Sequence, residues 1–179
     1  GYASINAQTG EALDTHSFAT LIGVGATTVN PYLALDSLYQ RFEKKLFGKF
    51  AYDECIERFV QSVNYGLLKI MSKMGISVLS SYRGGCNFET VGLSRTVASE
   101  FFPGVLSKIS GIGLSGIENK LRIIHKQAFD DNSKVLPIGG LYRYRKNGET
   151  HQYQGNLMHL LQSSVGSNSY EGYKKYVNG

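Results

Sequence analysis

The polar loop from Ser81 to Glu89 carries the side chains best suited to chemistry. Arg83 could clamp an anion, Cys86 offers a thiol and Glu89 a base, while two adjacent glycines would let a ligand approach the backbone. The loop follows a predicted strand, and open α/β sheets bind ligands at strand ends. A nucleophilic cysteine also needs a histidine partner, which the sequence does not place. The favoured interpretation is structural: Arg83 and Glu89 pair with neighbouring segments, and Cys86 packs as a small hydrophobic residue.

A second glycine-bearing stretch, Gly23-Val24-Gly25-Ala26-Thr27-Thr28, lies between a predicted strand and a predicted helix. A dinucleotide-binding fingerprint would occur at such a place. Thr28 replaces the third glycine, however, and no acidic residue follows at the end of a second strand about 20 positions on. We therefore prefer a plain strand-to-helix turn to a phosphate site.

Residues 141–153 alternate aromatic and basic side chains around Asn147-Gly148, the favoured pair for a type I′ turn. This pattern predicts a β-hairpin in which Tyr144 faces His151. Tyrosines can stack on bases and arginines can meet phosphates. In this hairpin the arginines project from the opposite face to the tyrosines, so a nucleic-acid partner is not expected.

The chain has two cysteines, Cys55 and Cys86, and four scattered histidines. Two distant cysteines cannot build a disulfide framework or a four-thiolate metal site, and they are typical of a reducing compartment. The histidines show no HxxxH or HExxH spacing. We therefore expect no metal site.

Length and composition predict a globular chain of one compact domain or two small lobes: 179 residues, 42% hydrophobic and 18% charged. The net charge of +5 gives a mild attraction to anions but does not indicate nucleic-acid binding. No apolar run approaches the roughly 20 residues of a membrane helix, so no membrane partner is expected. Gly1 stands where an initiator methionine would be, and no secretory leader follows, which indicates an excerpt or a processed product.

The predicted elements indicate an α/β fold with a partial parallel sheet and flanking helices. The apolar run 18–24 predicts a buried strand, and Asn30-Pro31 opens a helix. Asp53 is expected to cap the longest helix, which Gly75 ends. Ile76–Ser80 predicts a second buried strand. Parallel strands need helical crossovers, and the order strand, helix, helix, strand provides them.

The second half of the chain is predicted to be mostly helical. Ser94 caps a short helix, and Ser115 with Glu118 forms a capping box at the start of another. A linker-like stretch at 130–134 precedes the hairpin, and apolar spacing from Leu157 onward predicts a helical C-terminal extension.

Four runs of residues resemble one protein family. The string KIMSKMGIS, followed by SYRG and FE..GL, is long and specific. With these runs the chain resembles the large (alpha) subunit of bacterial glutamate synthase over nearly its whole length. The runs are Thr9–Thr15 (TGEALDT), Leu21–Leu35 (LIGVGATTVNPYLAL), Gly66–Gly92 (GLLKIMSKMGISVLSSYRGGCNFETVG) and Leu136–His151 (LPIGGLYRYRKNGETH).

The resemblance implies a segment from the middle of a larger oxidoreductase. Residues 1–130 would be the C-terminal part of its central α/β domain, and residues 131–179 the linker, hairpin and helix leading into its FMN-binding barrel. That enzyme hydrolyses L-glutamine, passes ammonia through an internal tunnel to 2-oxoglutarate, and completes a second L-glutamate with reduced FMN. The resemblance thus implies glutamate biosynthesis and ammonia (nitrogen) assimilation.

The resemblance also implies cofactors and partners for the parent enzyme. These are FMN and a 3Fe-4S cluster, with FAD, 4Fe-4S clusters and NADPH contributed through a small NADPH-oxidising partner subunit. The other domains of the large subunit would contact this segment, and the enzyme would be a cytoplasmic oligomer.

No catalytic, cofactor-binding or metal residue carries over from the family to this chain. The glutaminase needs an N-terminal cysteine, where this chain has Gly1, and an iron–sulfur cluster needs more thiolates than two. By family layout the flavin-binding strands would begin after Gly179. The segment is therefore expected to be inactive alone and to act as a spacer. The residues expected at an interdomain contact or ammonia-channel wall are Ser81, Tyr82, Arg83, Gly84, Gly85 and Glu89.

Two alternatives remain open from the residues themselves. The chain could be a free-standing α/β module that binds a phosphate or nucleotide with the 81–89 loop. It could also be a truncated product with no function.

Overall fold

The structure, a computed structural model, describes residues 3–130 and 138–179. It is mixed α/β, with short parallel strand pairs and flanking helices, which confirms the predicted fold class. Its contacts divide the chain into two units, Gly1–Lys120 and Leu121–Gly179. The described elements are β1 (Asn6–Gln8), α1 (Thr15–Gly23), β2 (Thr28–Asn30), α2 (Tyr32–Glu43), α3 (Tyr52–Met74), α4 (Leu79–Tyr82), β3 (Val91–Leu93), α5 (Arg95–Phe101), β4 (Ile109–Ile112), α6 (Leu114–Ala128), α7 (Gly155–Gly166) and α8 (Tyr170–Val177).

The core of the first unit forms around α1, which packs on α3 and on β2. One cluster joins Ala19 and Ile22 of α1 to Met71 of α3 and to Tyr82. A neighbouring cluster places Phe18 of α1 beside other buried side chains, with Leu67 of α3 at the edge of both clusters. The first unit is therefore organised by one short, well-covered helix.

The apolar run 18–24 lies mainly in this helix, so the predicted strand there is wrong. Asp14 caps the helix: its Oδ1 accepts the Ser17 amide at 2.8 Å. Phe18, Ala19 and Ile22 are buried where α1 packs on α3 and β2, while His16 and Thr20 are exposed. A short apolar run of this kind cannot be assigned to a helix or to a buried strand by sequence periodicity alone.

The first strand pair instead flanks α1. β1 and β2 are parallel, with Asn6 opposite Thr28 and Gln8 opposite Asn30. The crossover between them is α1, the kind of helical connection that parallel strands require.

The next two helices, α2 and α3, are predicted correctly, but their N-terminal cap residues differ from the predicted ones. α2 begins at Tyr32 with Pro31 in the cap position, and Asn30 ends β2 rather than capping the helix. Asp53 lies in the first turn of α3, after Ala51 at its cap. Gly75 ends α3 in the left-handed region, at φ 74°, as predicted.

Ile76–Ser80 forms no strand, which corrects the second predicted strand. The Ile76 amide donates to the Met71 carbonyl at 2.9 Å, so the chain folds back over the last turn of α3. The short helix α4 then begins at Leu79 and ends at Tyr82, whose side chain is buried in the core. Val78, just before α4, has extended backbone at φ −126° and ψ 136°, but it pairs with no other described strand.

The remainder of the first unit holds the second parallel pair, β3 and β4, with α5 between them. Ser94 caps α5 as predicted, since its Oγ accepts the Val97 amide at 3.2 Å. α6 begins at Leu114, so Ser115 lies inside the helix and not at the cap position that the predicted capping box requires.

In the second unit, α7 and α8 form a helix pair and confirm the helical C-terminal extension. The predicted hairpin is not formed: described residues 141–153 contain no strand. A turn is present, with the Gly148 amide bonded to the Arg145 carbonyl at 2.9 Å, and the Tyr144 and His151 rings do meet, at 6.4 Å. An isolated two-stranded hairpin is marginally stable, so short turns replace it.

Most of the predicted linker, residues 131–134, lies outside the described residues. The domain boundary after residue 130 stays a prediction. Among residues 3–130 and 138–179, no helix is both long and apolar enough to cross a membrane.

We predict that Gly66→Ala lowers the free energy of unfolding. A Cβ at Gly66 of α3 would overlap Thr15 of α1, with its Oγ1 at 2.7 Å. Overpacking typically costs about 1–3 kcal/mol, measurable by urea denaturation followed by circular dichroism. Gly155→Ala is the control, because a Cβ there meets nothing within 4 Å. Equal stability of the two variants would contradict the close α1–α3 contact.

Candidate functional site

The 81–89 loop is anchored in the core by Tyr82. Its side chain is buried, and its hydroxyl donates to the Ala19 carbonyl of α1 at 2.9 Å. Burial raises the pKa of the Tyr82 hydroxyl, because desolvation disfavours the phenolate. Tyr82 thus holds the loop to α1, and its place at an interdomain contact stays a prediction.

The loop backbone also caps the C-terminal end of α1. The Gly84 amide donates to the Ile22 carbonyl and the Cys86 amide to the Gly23 carbonyl, both at 3.1 Å. The Ile22 carbonyl also accepts the Gly25 amide, while the Gly23 carbonyl receives from the loop a hydrogen bond that the helix itself cannot supply. A Cβ on Gly23 would lie 2.7 Å from the Phe88 ring, so this close approach requires a glycine.

The side chains of the loop differ in their burial and in their partners. Glu89 pairs with Lys108 at 2.6 Å, as the structural interpretation predicts, and both side chains are largely exposed. Such a pair contributes at most about 1 kcal/mol. Arg83 is exposed, and the described residues provide no hydrogen bond or ion pair to its guanidinium, so its predicted pairing is not observed. Cys86 is half-buried, with a free thiol.

Ser81, Gly84 and Gly85 are exposed, as Arg83 is. The structure therefore brings the predicted residues together as a short rim over the end of α1. The backbone of this rim is hydrogen-bonded to α1, the side chains of Ser81 and Arg83 are exposed, and that of Tyr82 is buried. Within the described ranges, no group of three or more histidine, cysteine or carboxylate side chains could hold a metal ion.

The turn from Gly23 to Thr28 uses its amides within the protein. Those of residues 24–26 bond to carbonyls of α1, and those of Thr27 and Thr28 bond to the Ile5 carbonyl at 2.8 and 3.2 Å. Phosphate cradles need amides that point at the ligand. The turn connects α1 to β2, so it is a helix-to-strand connection in place of the predicted strand-to-helix one.

Sequence reasoning missed another glycine spacing, Gly111-x-Gly113-x-x-Gly116, between β4 and α6. It matches the dinucleotide fingerprint in both spacing and context. Two of these glycines are required for packing: a Cβ on Gly111 would overlap the Gly92 carbonyl, and one on Gly116 would lie 2.7 Å from the Cβ of Ile112. No strand follows α6 within residues 3–130 and 138–179 to carry the acidic residue of a ribose site.

The fold and the loop thus define an α/β segment whose glycine-rich turns hold its elements together. The family model for the glutamate synthase central domain matches residues 1–94. The chain belongs to this family, which confirms the resemblance seen in its sequence.

The similarity to whole relatives continues beyond residue 94. The chain is 50% identical to the glutamate synthase [NADPH] large chain of Azospirillum brasilense over 175 residues, covering 98% of this chain and 12% of that one. The Bacillus subtilis large chain is 39% identical, with 97% and 11% covered. A ferredoxin-dependent glutamate synthase of Arabidopsis thaliana is 38% identical, with 97% and 11% covered. The chain therefore spans about an eighth of the length of these relatives.

We predict that Tyr82→Phe reduces the alkaline sensitivity of the fold. Because the pKa of Tyr82 is raised in the folded state, its contribution to stability is complete below the unfolded value of about 10 and is lost as pH rises through the folded value. The variant should lose about 1 kcal/mol at neutral pH from the missing hydrogen bond, and its stability should fall less steeply above pH 10.

Urea denaturation at several pH values between 7 and 11 measures this effect. Tyr65→Phe, on the exposed face of α3, is the matched control and should follow the unmodified chain. If Tyr82→Phe and Tyr65→Phe have the same pH profile, Tyr82 does not titrate in a buried site.

Proposed function

We propose that this chain is a working part of an NADPH-dependent glutamate synthase. The parent reaction converts L-glutamine, 2-oxoglutarate and reductant into two L-glutamates. The identity of 50% to a large chain named for NADPH supports NADPH as reductant. The free thiols of Cys55 and Cys86 suit the cytoplasm.

The cofactors of the proposed parent enzyme belong to other regions. FMN and a 3Fe-4S cluster would be bound elsewhere in the large subunit, while FAD, 4Fe-4S clusters and NADPH would be handled with the small subunit, in an oligomeric assembly. The two cysteines of this chain are too few for a cluster of its own. We therefore propose that the segment alone is inactive.

The role of the segment in this proposal is to separate the glutaminase and FMN sites at a fixed distance. Transfer of ammonia without loss needs a preorganised path closed to solvent. The α1 cap supports such a role, because three hydrogen bonds from Tyr82, Gly84 and Cys86 fix the loop on a helix that is itself buried. A rigid loop can hold a channel wall in place where a mobile one could not.

Within that spacer, the exposed rim of the 81–89 loop is the proposed contact with a neighbouring domain or the ammonia path. The backbone of the loop is hydrogen-bonded to α1. The residues of the rim that remain exposed are Ser81, Arg83, Gly84 and Gly85. The exposed guanidinium of Arg83 is the hydrogen-bond donor best suited to such a contact. An arginine can bind a carboxylate or a backbone carbonyl of a neighbouring domain.

The competing function, a free-standing phosphate- or nucleotide-binding module, has less support. The amides of Gly84, Gly85, Cys86 and Phe88 all donate to backbone carbonyls, so the loop offers few of the free donors that a phosphate needs.

Thermal melting of the chain with and without FMN or a nucleotide tests the module directly. A ligand that binds only the folded state raises the melting temperature. We expect no rise with either compound. A rise that grows with ligand concentration would favour the module.

We predict that Arg83→Ala in the complete glutamate synthase uncouples its two activities. With the rim disturbed, part of the ammonia would escape, so glutamate formed per glutamine consumed should fall from two towards one. The rate of glutamine hydrolysis should change little. Enzymatic assay of both amino acids in the same reaction measures the ratio.

Arg41→Ala is the control for this experiment, because Arg41 is also an exposed arginine but lies in the last turn of α2. It should retain full coupling. If both variants fold normally by circular dichroism and still form two glutamates per glutamine consumed, the loop is not part of the ammonia path.

A further inference from the structure

Three tyrosines form a stack along one side of α8. The ring centroids of Tyr170 and Tyr173 lie 6.4 Å apart with the ring planes inclined at 25°. Those of Tyr173 and Tyr176 lie 6.1 Å apart at 37°. Residues three apart on a helix are neighbours on its surface, so each ring lies against the next. Tyr173 is therefore the shared member of two ring pairs.

The helix that carries the stack is held at its start and against α7. Ser169 caps it, since its Oγ accepts the Gly172 amide at 3.1 Å. A Cβ on Gly172 would lie 2.9 Å from the Cβ of Ser164, a buried residue of α7, so the two helices approach closely there. At the first ring, the Lys174 Nζ lies 4.9 Å from the centre of the Tyr170 ring, a cation–π contact. The spacing of the rings is thus set by a helix with defined packing.

The stack is open to reagents in solvent. Tyr170 is 69% exposed and Tyr173 is 45% exposed, while Tyr176 is half-buried. An exposed phenol can lose an electron to an oxidant and its proton to water. The chain contains no tryptophan, the other aromatic residue that is readily oxidised by one electron. The exposed tyrosines are therefore the aromatic side chains of this chain that a one-electron oxidant would attack.

We propose that Tyr170 and Tyr173 are an oxidative cross-linking site at which a carbon–carbon bond joins the two rings. Two equivalents of a one-electron oxidant, such as the carbonate radical, each take one electron from a ring and are reduced, and both phenolic protons pass to water. The two phenoxyl radicals couple at ring carbons adjacent to the oxygen-bearing carbons. The hydrogen on each joined carbon then moves to the phenolic oxygen, so the product keeps both hydroxyls and has lost two hydrogen atoms.

The orientation of the rings selects this pair. The new bond forms along the p orbitals that stand perpendicular to each ring, so coupling requires rings that face each other. Tyr170 and Tyr173 are nearly parallel. Tyr39 and Tyr52 have closer centroids, at 5.4 Å, but their rings meet edge-on at 82°. We therefore expect coupling on α8 and little between the edge-on rings.

Photo-oxidation of the complete large chain, followed by trypsin digestion and mass spectrometry, tests the proposal. Tris(bipyridyl)ruthenium(II) with persulfate under visible light supplies the one-electron oxidant, and an unirradiated sample is the control. Trypsin cleaves after lysine and arginine, and neither lies between Tyr170 and Tyr173. Their bond therefore appears as one peptide that has lost two hydrogen atoms and gives no fragment ions between the two tyrosines.

The competing bond is distinguished in the same digest. Lys174 and Lys175 lie between Tyr173 and Tyr176, so a bond between these tyrosines joins two peptides. We expect less of this product, because the two rings are more tilted and Tyr176 is half-buried. An excess of the joined peptides over the Tyr170–Tyr173 product would overturn the proposed pair.

Two conservative variants complete the test. Tyr173→Phe should lose both products, because Tyr170 and Tyr176 are separated by about 9 Å along the helix and roughly 120° around it. Tyr176→Phe should retain the Tyr170–Tyr173 product. Tyr65 is the internal control, since it is 72% exposed but has no stacked tyrosine beside it in the described part of the chain.

Three results would overturn the proposal: no Tyr170–Tyr173 product above the unirradiated control, loss of two hydrogen atoms that persists in Tyr173→Phe, or cross-linking of Tyr65 at an equal yield. Circular dichroism of both variants checks that α8 is retained. The product is detected by peptide mass and not by activity, so the result is independent of the proposed glutamate synthase function.

Discussion

The first unit depends on the hydrogen bonds that the carbonyl groups at the C-terminal end of α1 accept. A helix of nine residues is too short to be stable by itself and must gain its stability from packing. Packing here buries the end of the helix as well, where the last carbonyls have no internal partner. The segment from Tyr82 to Cys86, distant in the sequence, donates hydrogen bonds to the carbonyls of Ala19, Ile22 and Gly23. The loop, α1 and α3 therefore form one cooperative cluster, and a change in any of them reaches the others.

This constraint explains why the turns at 23–28 and 84–88 have few free amides that could bind a phosphate. Between Gly23 and Thr28 the amides are bonded to carbonyls, and Gly84 and Cys86 donate to α1. Gly66, Gly111 and Gly116 serve a related purpose, since each occupies a place where a side chain would overlap a neighbour. Glycine spacing in this chain reports close approach between its own elements. Within residues 3–130 and 138–179, no strand follows α6 to carry the acidic residue that a ribose site would add to the spacing at Gly111.

The surface of the chain has many exposed apolar side chains, as expected if it is part of a longer polypeptide. Many large apolar side chains are exposed, among them Leu68 of α3, Leu106 before β4 and Leu121 of α6, and α6 buries none of its residues. Exposed apolar side chains of this number are typical of surfaces that meet other protein. The relatives are about eight times longer than this chain, so they contain polypeptide that could cover these positions.

The sequence by itself determined the elements whose signals are local. The apolar spacing and Gly75 defined α3, Ser94 marked the start of α5, and the long specific runs identified the family. For the candidate site it predicted the loop and the pairing of Glu89, but not the burial of Tyr82 or the exposure of Arg83. Tertiary structure decided that residues 18–23 are helical and residues 76–80 are not a strand. The physical reason is that a short apolar run shows how thoroughly a segment is covered, while its conformation depends on which distant groups satisfy its backbone.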